Sequence, residues 1–190
     1  MDVVLSTVGL VVLSPCFVVI AAYIRCVSPG PVFFRQSRVG GEGKQFTIIK
    51  FRTMHPDNDA SAHRQYVGQL ANSDRPLKKI DDISRLIPLG KLLRRSSVDE
   101  LPQLINIFLG EMSLVGPRPD VLDFDDYTPT QQRRFQVMPG LTGLWQVSGK
   151  NRLTFEKMIA LDLTYVRKRS LLFDLKILVR TLPMLVGLNR

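Results

Sequence analysis

Asp99 and Glu100 stand side by side, just after Arg94 and Arg95 and just before an apolar run at 101–109 that contains Pro102. An ionised carboxylate beside cations and free backbone N–H groups can attack a phosphorus whose charge those groups neutralise. A helix N-terminus holds such a carboxylate ionised through its dipole. Successive helical residues point about 100° apart, so one acid can hold a metal while its neighbour attacks. The same string has the form of a capping box, with Ser97 as N-cap and Glu100 three positions on. On that reading the acids only start a helix, and the residue pattern leaves both readings open.

Other strings supply complementary chemistry. In Gly116-Pro117-Arg118-Pro119 two prolines fix the backbone around one guanidinium, which suits anion or nucleotide recognition as well as a plain exposed turn. Arg35, Arg38, Lys50 and Arg52 fall on two strand-like runs and form either a phosphate cradle or a solvated basic hairpin. Asp120, Asp123, Asp125 and Asp126 can bind metal, although a solvated acidic loop or helix start explains them better. The segment 139–152 is rich in glycine and polar groups and carries Gly140, Thr142, Gln146 and the only tryptophan, Trp145. Its glycines permit close backbone approach to a ligand, but it lacks the spacing of a P-loop or of a dinucleotide-binding turn.

These residues need a scaffold. Residues 32–39, a glycine-rich turn at 40–44 and residues 45–51 predict a β-hairpin. Residues 55–82 read as a loop with a short helix, 88–93 opens a helical run, and 155–188 has helical periodicity. Leu171, Leu172, Leu175, Leu178 and Leu182 fall near one face of an amphipathic helix fit for the core or a membrane surface. The expected fold is α/β, mostly α with a small β-hairpin. The chain has 190 residues, 45% of them hydrophobic, and a net charge of +9. That composition excludes a disordered scaffold, and the charge favours phosphates, nucleic acid or an anionic membrane. Two cysteines are too few for a disulfide framework.

Residues 3–24 contain no charged side chain. As a helix they would extend about 33 Å, enough to cross a hydrocarbon core. Ser14-Pro15 lies near the middle. Proline removes one backbone hydrogen bond there, and the serine hydroxyl can satisfy a freed carbonyl. A kinked single span and a re-entrant hairpin both fit. Six basic residues and one acid in 25–52 hold that side in the cytoplasm.

Taken in order, Ser14-Pro15, Ser28-Pro-Gly-Pro-Val-Phe-Phe-Arg-Gln, Lys50-Phe-Arg-Thr-Met, Ser97-Val-Asp-Glu-Leu-Pro-Gln-Leu, Gly116-Pro-Arg-Pro and Pro139-Gly-Leu-Thr-Gly resemble the bacterial sugar transferases known as small monotopic phosphoglycosyl transferases. The resemblance runs over about residues 3–186. It implies transfer of sugar 1-phosphate from a UDP-sugar to undecaprenyl phosphate with release of UMP, as the first step of glycoconjugate or exopolysaccharide assembly. It implies Asp99 as a covalent nucleophile, Glu100 as the ligand of Mg²⁺, and Arg118 as a nucleotide contact. It makes residues 1–27 a re-entrant membrane hairpin broken at Ser14-Pro15, and 28–190 a cytosolic catalytic domain with a C-terminal amphipathic helix. The place is the cytoplasmic face of a bacterial inner membrane, against anionic lipid, with no nucleic acid as partner; a homodimer is compatible with all of this.

The chain departs from the family pattern in three places. Only Met1-Asp2 precede the apolar segment where members usually carry basic residues, as in a catalytic portion with an abbreviated start. Gly149-Lys150-Asn151 replaces Gly-Arg-Asn, and Arg169-Ser170 replaces Trp-Ser. Two rivals remain open: a membrane-tethered basic module binding nucleic acid or anionic lipid, and a membrane phosphohydrolase. The first leaves Asp99-Glu100 and the Pro-Arg-Pro turn unexplained.

Overall fold

The computed structural model describes residues 1–55, 60–71, 73, 75–76 and 85–185. Parts of the predicted 55–82 and 155–188 segments therefore lie outside the described residues. The N-terminal apolar run forms one long helix, α1 (Asp2–Val27), with Pro15 inside it. Proline at 15 deprives the Val11 carbonyl of its usual donor, and Ser14 Oγ donates to that carbonyl at 2.8 Å. The segment is thus one helix that runs through a proline whose freed carbonyl is satisfied.

One face of α1 packs on the rest of the chain along nearly its whole length. Gly9 lies against Leu104, and Leu10 and Leu13 join the central core. Further on, Phe17 meets Phe51 edge-on with ring centroids 5.4 Å apart, and Ile24 is fully buried. Such an aromatic pair contributes about 0.5–1.5 kcal/mol beyond area burial. The opposite face exposes Val4, Val11, Val12, Val18 and Val19.

The predicted hairpin forms as β1 (Phe33–Val39) and β2 (Gln45–Phe51), antiparallel, pairing Phe33 with Phe51 through to Val39 with Gln45. Strand alternation puts Arg38, Gln36, Ile48 and Lys50 on one face and Phe33 and Phe51 on the other. Helix α2 (Ala60–Ala71) is the short helix expected in the polar stretch. Next come α3 (Gly90–Arg95), a single 3₁₀ turn (Val98–Glu100) and α4 (Gln103–Phe108).

Asn106 of α4 is fully buried and works as a bracket on β2. Its Oδ1 accepts the Ile49 N–H at 3.1 Å, and its Nδ2 donates to the Thr47 carbonyl at 2.8 Å. The amide replaces a missing neighbouring strand and fixes the acidic turn relative to Lys50.

A second sheet, absent from the sequence expectation, pairs β3 (Ser113–Val115) with β4 (Gly140–Thr142) in parallel. Three residues per strand carry too little alternation to be recognised. A Cβ on Gly140 would lie 2.0 Å from Gly116 N, so only glycine permits this crossing. The short helices α5 (Pro129–Gln132) and α6 (Leu144–Val147) precede α7 (Phe155–Lys168) and α8 (Leu171–Leu185). The C-terminal periodicity thus resolves into two helices, with Ser170 Oγ accepting the Phe173 N–H at the start of the second. The fold is mostly helical with two small sheets, in line with the expected mostly α composition, and the second sheet adds to the expected hairpin.

Candidate active site

The 3₁₀ turn places both acids on the floor of an open groove of about 1420 Å³. Both side chains are largely buried. The capping box is not formed. Ser97 adopts a left-handed conformation (φ 58°) and makes no side-chain cap bond. A serine held there is strained by about 1–2 kcal/mol, and such residues gather at functional sites. The expected uninterrupted helix from 97 is also corrected, because α4 begins only at Gln103.

Glu100 is clamped from two elements. Arg118 Nη1 donates to Oε2 at 2.9 Å, Arg118 Nη2 bonds to Oε1, and Lys50 Nζ lies 3.1 Å from Oε1. Burial works against the Arg118 charge, but Glu100 and its hydrogen bonds, with Asp99 behind, more than offset it and hold the guanidinium above its ordinary pKa. The rigid Pro-Arg-Pro turn therefore points its arginine at a carboxylate of the protein. Both oxygens of Glu100 thus accept from these two cations. A single carboxylate suffices as the protein ligand of a cation bound mostly by substrate phosphates and water. Among the described residues no group of three or more His, Cys, Asp or Glu side chains could enclose a metal.

Arg118 is itself held from behind. Arg134, fully buried, donates to the Arg118 carbonyl at 2.8 Å and pairs with Asp120 at 2.8 Å and Asp162 at 2.7 Å. Tyr127 joins through its hydroxyl, 2.5 Å from Asp120 Oδ1. Burial pushes the Asp162 carboxyl upward against the opposing pull of Arg134. Nothing in the local sequence signals Arg134 or Asp162, because their partners are 14 and 28 residues away.

The remaining sequence candidates separate. Arg35, Arg38, Arg94, Thr142 and Gln146 line the groove with Asp99, Glu100, Lys50 and Arg118. Arg94 Nη1 lies 3.4 Å from Met54 Sδ. Thr142 Oγ1 is bonded to Thr181 Oγ1 of α8 at 2.8 Å, and Gln146 Nε2 donates to Leu141 O at 3.2 Å. Arg95 is exposed and does not line the groove, which places it outside the predicted cluster. Arg52 lines the groove but donates to the Ser28 and Pro29 carbonyls at 2.8 and 2.6 Å, so its visible task is to anchor the chain leaving α1. Gly140 packs its backbone tightly against Gly116. The acidic cluster is engaged internally: Asp120 with Arg134, and Asp123 and Asp126 with Arg64 and their own turn.

The groove has a second character at its rim. Phe33, Phe34, Leu175, Leu178, Val179 and Leu182 line it. Leu171, Leu172, Leu175, Val179 and Leu182 form an exposed apolar stripe on α8, while Ile177 is buried. A charged floor beneath an apolar rim suits a reaction between a polar phosphorylated molecule and a lipid.

The family model for the bacterial sugar transferases matches residues 1–187. The exopolysaccharide production protein ExoY of Sinorhizobium fredii is 38% identical over 185 residues, covering 96% of this chain and 82% of that protein. The UDP-glucose:undecaprenyl-phosphate glucose-1-phosphate transferase of Caulobacter vibrioides is 40% identical over 195 residues, covering 98% and 68%. The galactosyl transferase CpsE of Streptococcus agalactiae is 37% identical over 193 residues, with 98% of this chain matched to 41% of that protein.

Proposed function

Because the chain belongs to the bacterial sugar transferase family, we propose that it is a phosphoglycosyl transferase acting on a UDP-sugar and undecaprenyl phosphate at the cytoplasmic face of a bacterial inner membrane. The observation that carries this reading is the groove, whose floor holds Asp99, Glu100, Lys50 and Arg118 and whose rim is apolar. The Asp99 carboxylate attacks the sugar-bearing phosphorus of the donor, a P–O bond forms, and the bond to UMP breaks. An oxygen of the lipid phosphate then attacks the same phosphorus and frees Asp99. The product is a lipid-linked sugar diphosphate that starts exopolysaccharide or glycoconjugate assembly.

Phosphoryl transfer needs positioning and charge neutralisation more than proton transfer, which suits a groove lined by arginines. Mg²⁺, held by Glu100 and by donor phosphates, would supply further neutralisation of that charge. Incubating membranes with a panel of UDP-sugars and undecaprenyl phosphate tests the reading. UMP release that depends on the lipid phosphate is expected. Release of free sugar phosphate without a lipid product would instead make the protein a hydrolase.

The same reading makes α1 monotopic, entering and leaving on the cytoplasmic side. Both of its ends support this by touching the domain. Asp2 Oδ1 lies 3.5 Å from the Leu114 N–H, and the Tyr23 hydroxyl donates to the Pro88 carbonyl at 2.8 Å. A spanning helix would carry one end away from these polar partners. Asp2→Cys, in a chain with Cys16 and Cys26 replaced by Ser, is expected to resist an impermeant thiol reagent from the periplasm. Replacing Ser14 and Pro15 by Ala restores a full set of helical hydrogen bonds and should shift the segment towards spanning, seen as new labelling at position 2. Labelling of the Ser14-Pro15 form itself would restore the single span.

A further inference from the structure

Arg38 is a groove cation that bonds to no carboxylate among the described residues. It projects from the same hairpin face as Lys50, and its Nη2 donates to Gln36 Oε1 at 2.6 Å. Its Nε and Nη1 are buried without a hydrogen-bond partner. Asp120 acts on it electrostatically, while its bonded partners are other groups. Asp120 Oδ1 takes the Tyr127 hydroxyl and the Leu122 N–H, and Oδ2 takes Arg134. The other floor cations, Lys50 and Arg118, are committed to Glu100.

Burying guanidinium N–H groups without acceptors is costly, and an incoming anion removes the cost. Burial pushes the Arg38 pKa down to about 10, with Asp120 opposing and Arg118 reinforcing, so at neutral pH it still carries its charge. We propose that Arg38 is the seat of a phosphate monoester dianion, either the phosphate of the nucleotide product or that of the lipid acceptor.

This inference rests on the reading above and deepens it. Both phosphates of a UDP-sugar are substituted on two sides, so the donor presents no terminal dianion. UMP and a polyprenyl phosphate each present one. Three terminal oxygens sharing two charges match the donor fork of a guanidinium. Arg38 therefore acts on release of the first product or on use of the second substrate, and little on capture of the donor.

The test uses the full chain in membranes, wild type against Arg38→Met, with thermal melting to confirm folding. Three constants are measured: KM for the UDP-sugar, Ki for UMP, and KM for undecaprenyl phosphate. Loss of a charge-assisted pair of bonds should raise one of the last two by about 10- to 100-fold, with the UDP-sugar KM nearly unchanged. A shift in Ki assigns the seat to the nucleotide, and a shift in the lipid KM assigns it to the acceptor. If both stay at wild-type values in a folded variant, or the donor KM moves as far as they do, the proposal is overturned. Should Arg38→Met fail to fold, Arg38→Lys keeps the charge without the fork and should move the same constant by less. Should the wild type release no UMP at all, the transferase reading has failed by itself. Calorimetric binding of UMP and of inorganic phosphate then still tests Arg38. Weaker binding of either by the variant supports the seat, and equal binding of both removes it.

Discussion

Asp99→Asn is expected to lower turnover by about 10³-fold or more while leaving the fold intact. The amide keeps the shape of the side chain but has no anionic oxygen with which to attack phosphorus. The stability change should be small, about 1 kcal/mol, because shape and hydrogen-bonding capacity are largely kept. A structural role predicts the reverse, a loss of stability with activity retained. Intact-mass analysis after incubation with UDP-sugar in the absence of lipid acceptor separates the two. The wild type should gain a sugar-phosphate adduct and Asp99→Asn should not. An adduct on the variant, or near wild-type turnover by it, would rule Asp99 out as nucleophile. No adduct on either protein would point to direct attack by the lipid phosphate, with Asp99 only positioning charge.

Glu100→Gln is expected to cost about 10²-fold or more in turnover and to raise the Mg²⁺ concentration needed for half-maximal rate. The clamp explains why the change is severe. Gln removes the negative charge shared by Arg118 and Lys50, and in either orientation its NH₂ group faces a donor, because both carboxylate oxygens accept. Two mostly buried cations then lack their partner, so a stability loss of about 1–3 kcal/mol should accompany the kinetic one. The Mg²⁺ titration isolates the metal role, since loss of the clamp alone lowers the rate at every Mg²⁺ concentration alike. Full activity at limiting Mg²⁺ would sink the metal assignment. The cluster from Asp120 to Asp126, of which Asp120 lines the groove, would then be the next place to look.

Much of this protein is legible in one dimension because the deciding interactions are short in sequence. The uncharged run at 3–24 gives α1, since a helix satisfies its own backbone. Alternation and a glycine turn give the hairpin with its ends correctly placed. Ser14 beside Pro15 announces the rescue of the Val11 carbonyl, because donor and acceptor are three residues apart. The Asp99-Glu100 pair, the Pro-Arg-Pro turn and the basic strands are all visible as strings. The capping box fails for the same reason that it tempted. Its spacing is local, but Ser97 takes a left-handed conformation that a cap cannot use.

What the sequence determined by itself is thus the elements and the residue types available for phosphate chemistry. Tertiary structure alone decided which of those residues meet. Glu100 finds Lys50 across 50 residues and Arg118 across 18, and Asn106 joins α4 to β2 across nearly 60. Arg52 also holds carbonyls, Gly140 a strand crossing and Asp120 a buried arginine, tasks that no local string announces. The physical reason is that a buried charge must find a partner somewhere, and burial comes from packing between distant segments, which no spacing rule records.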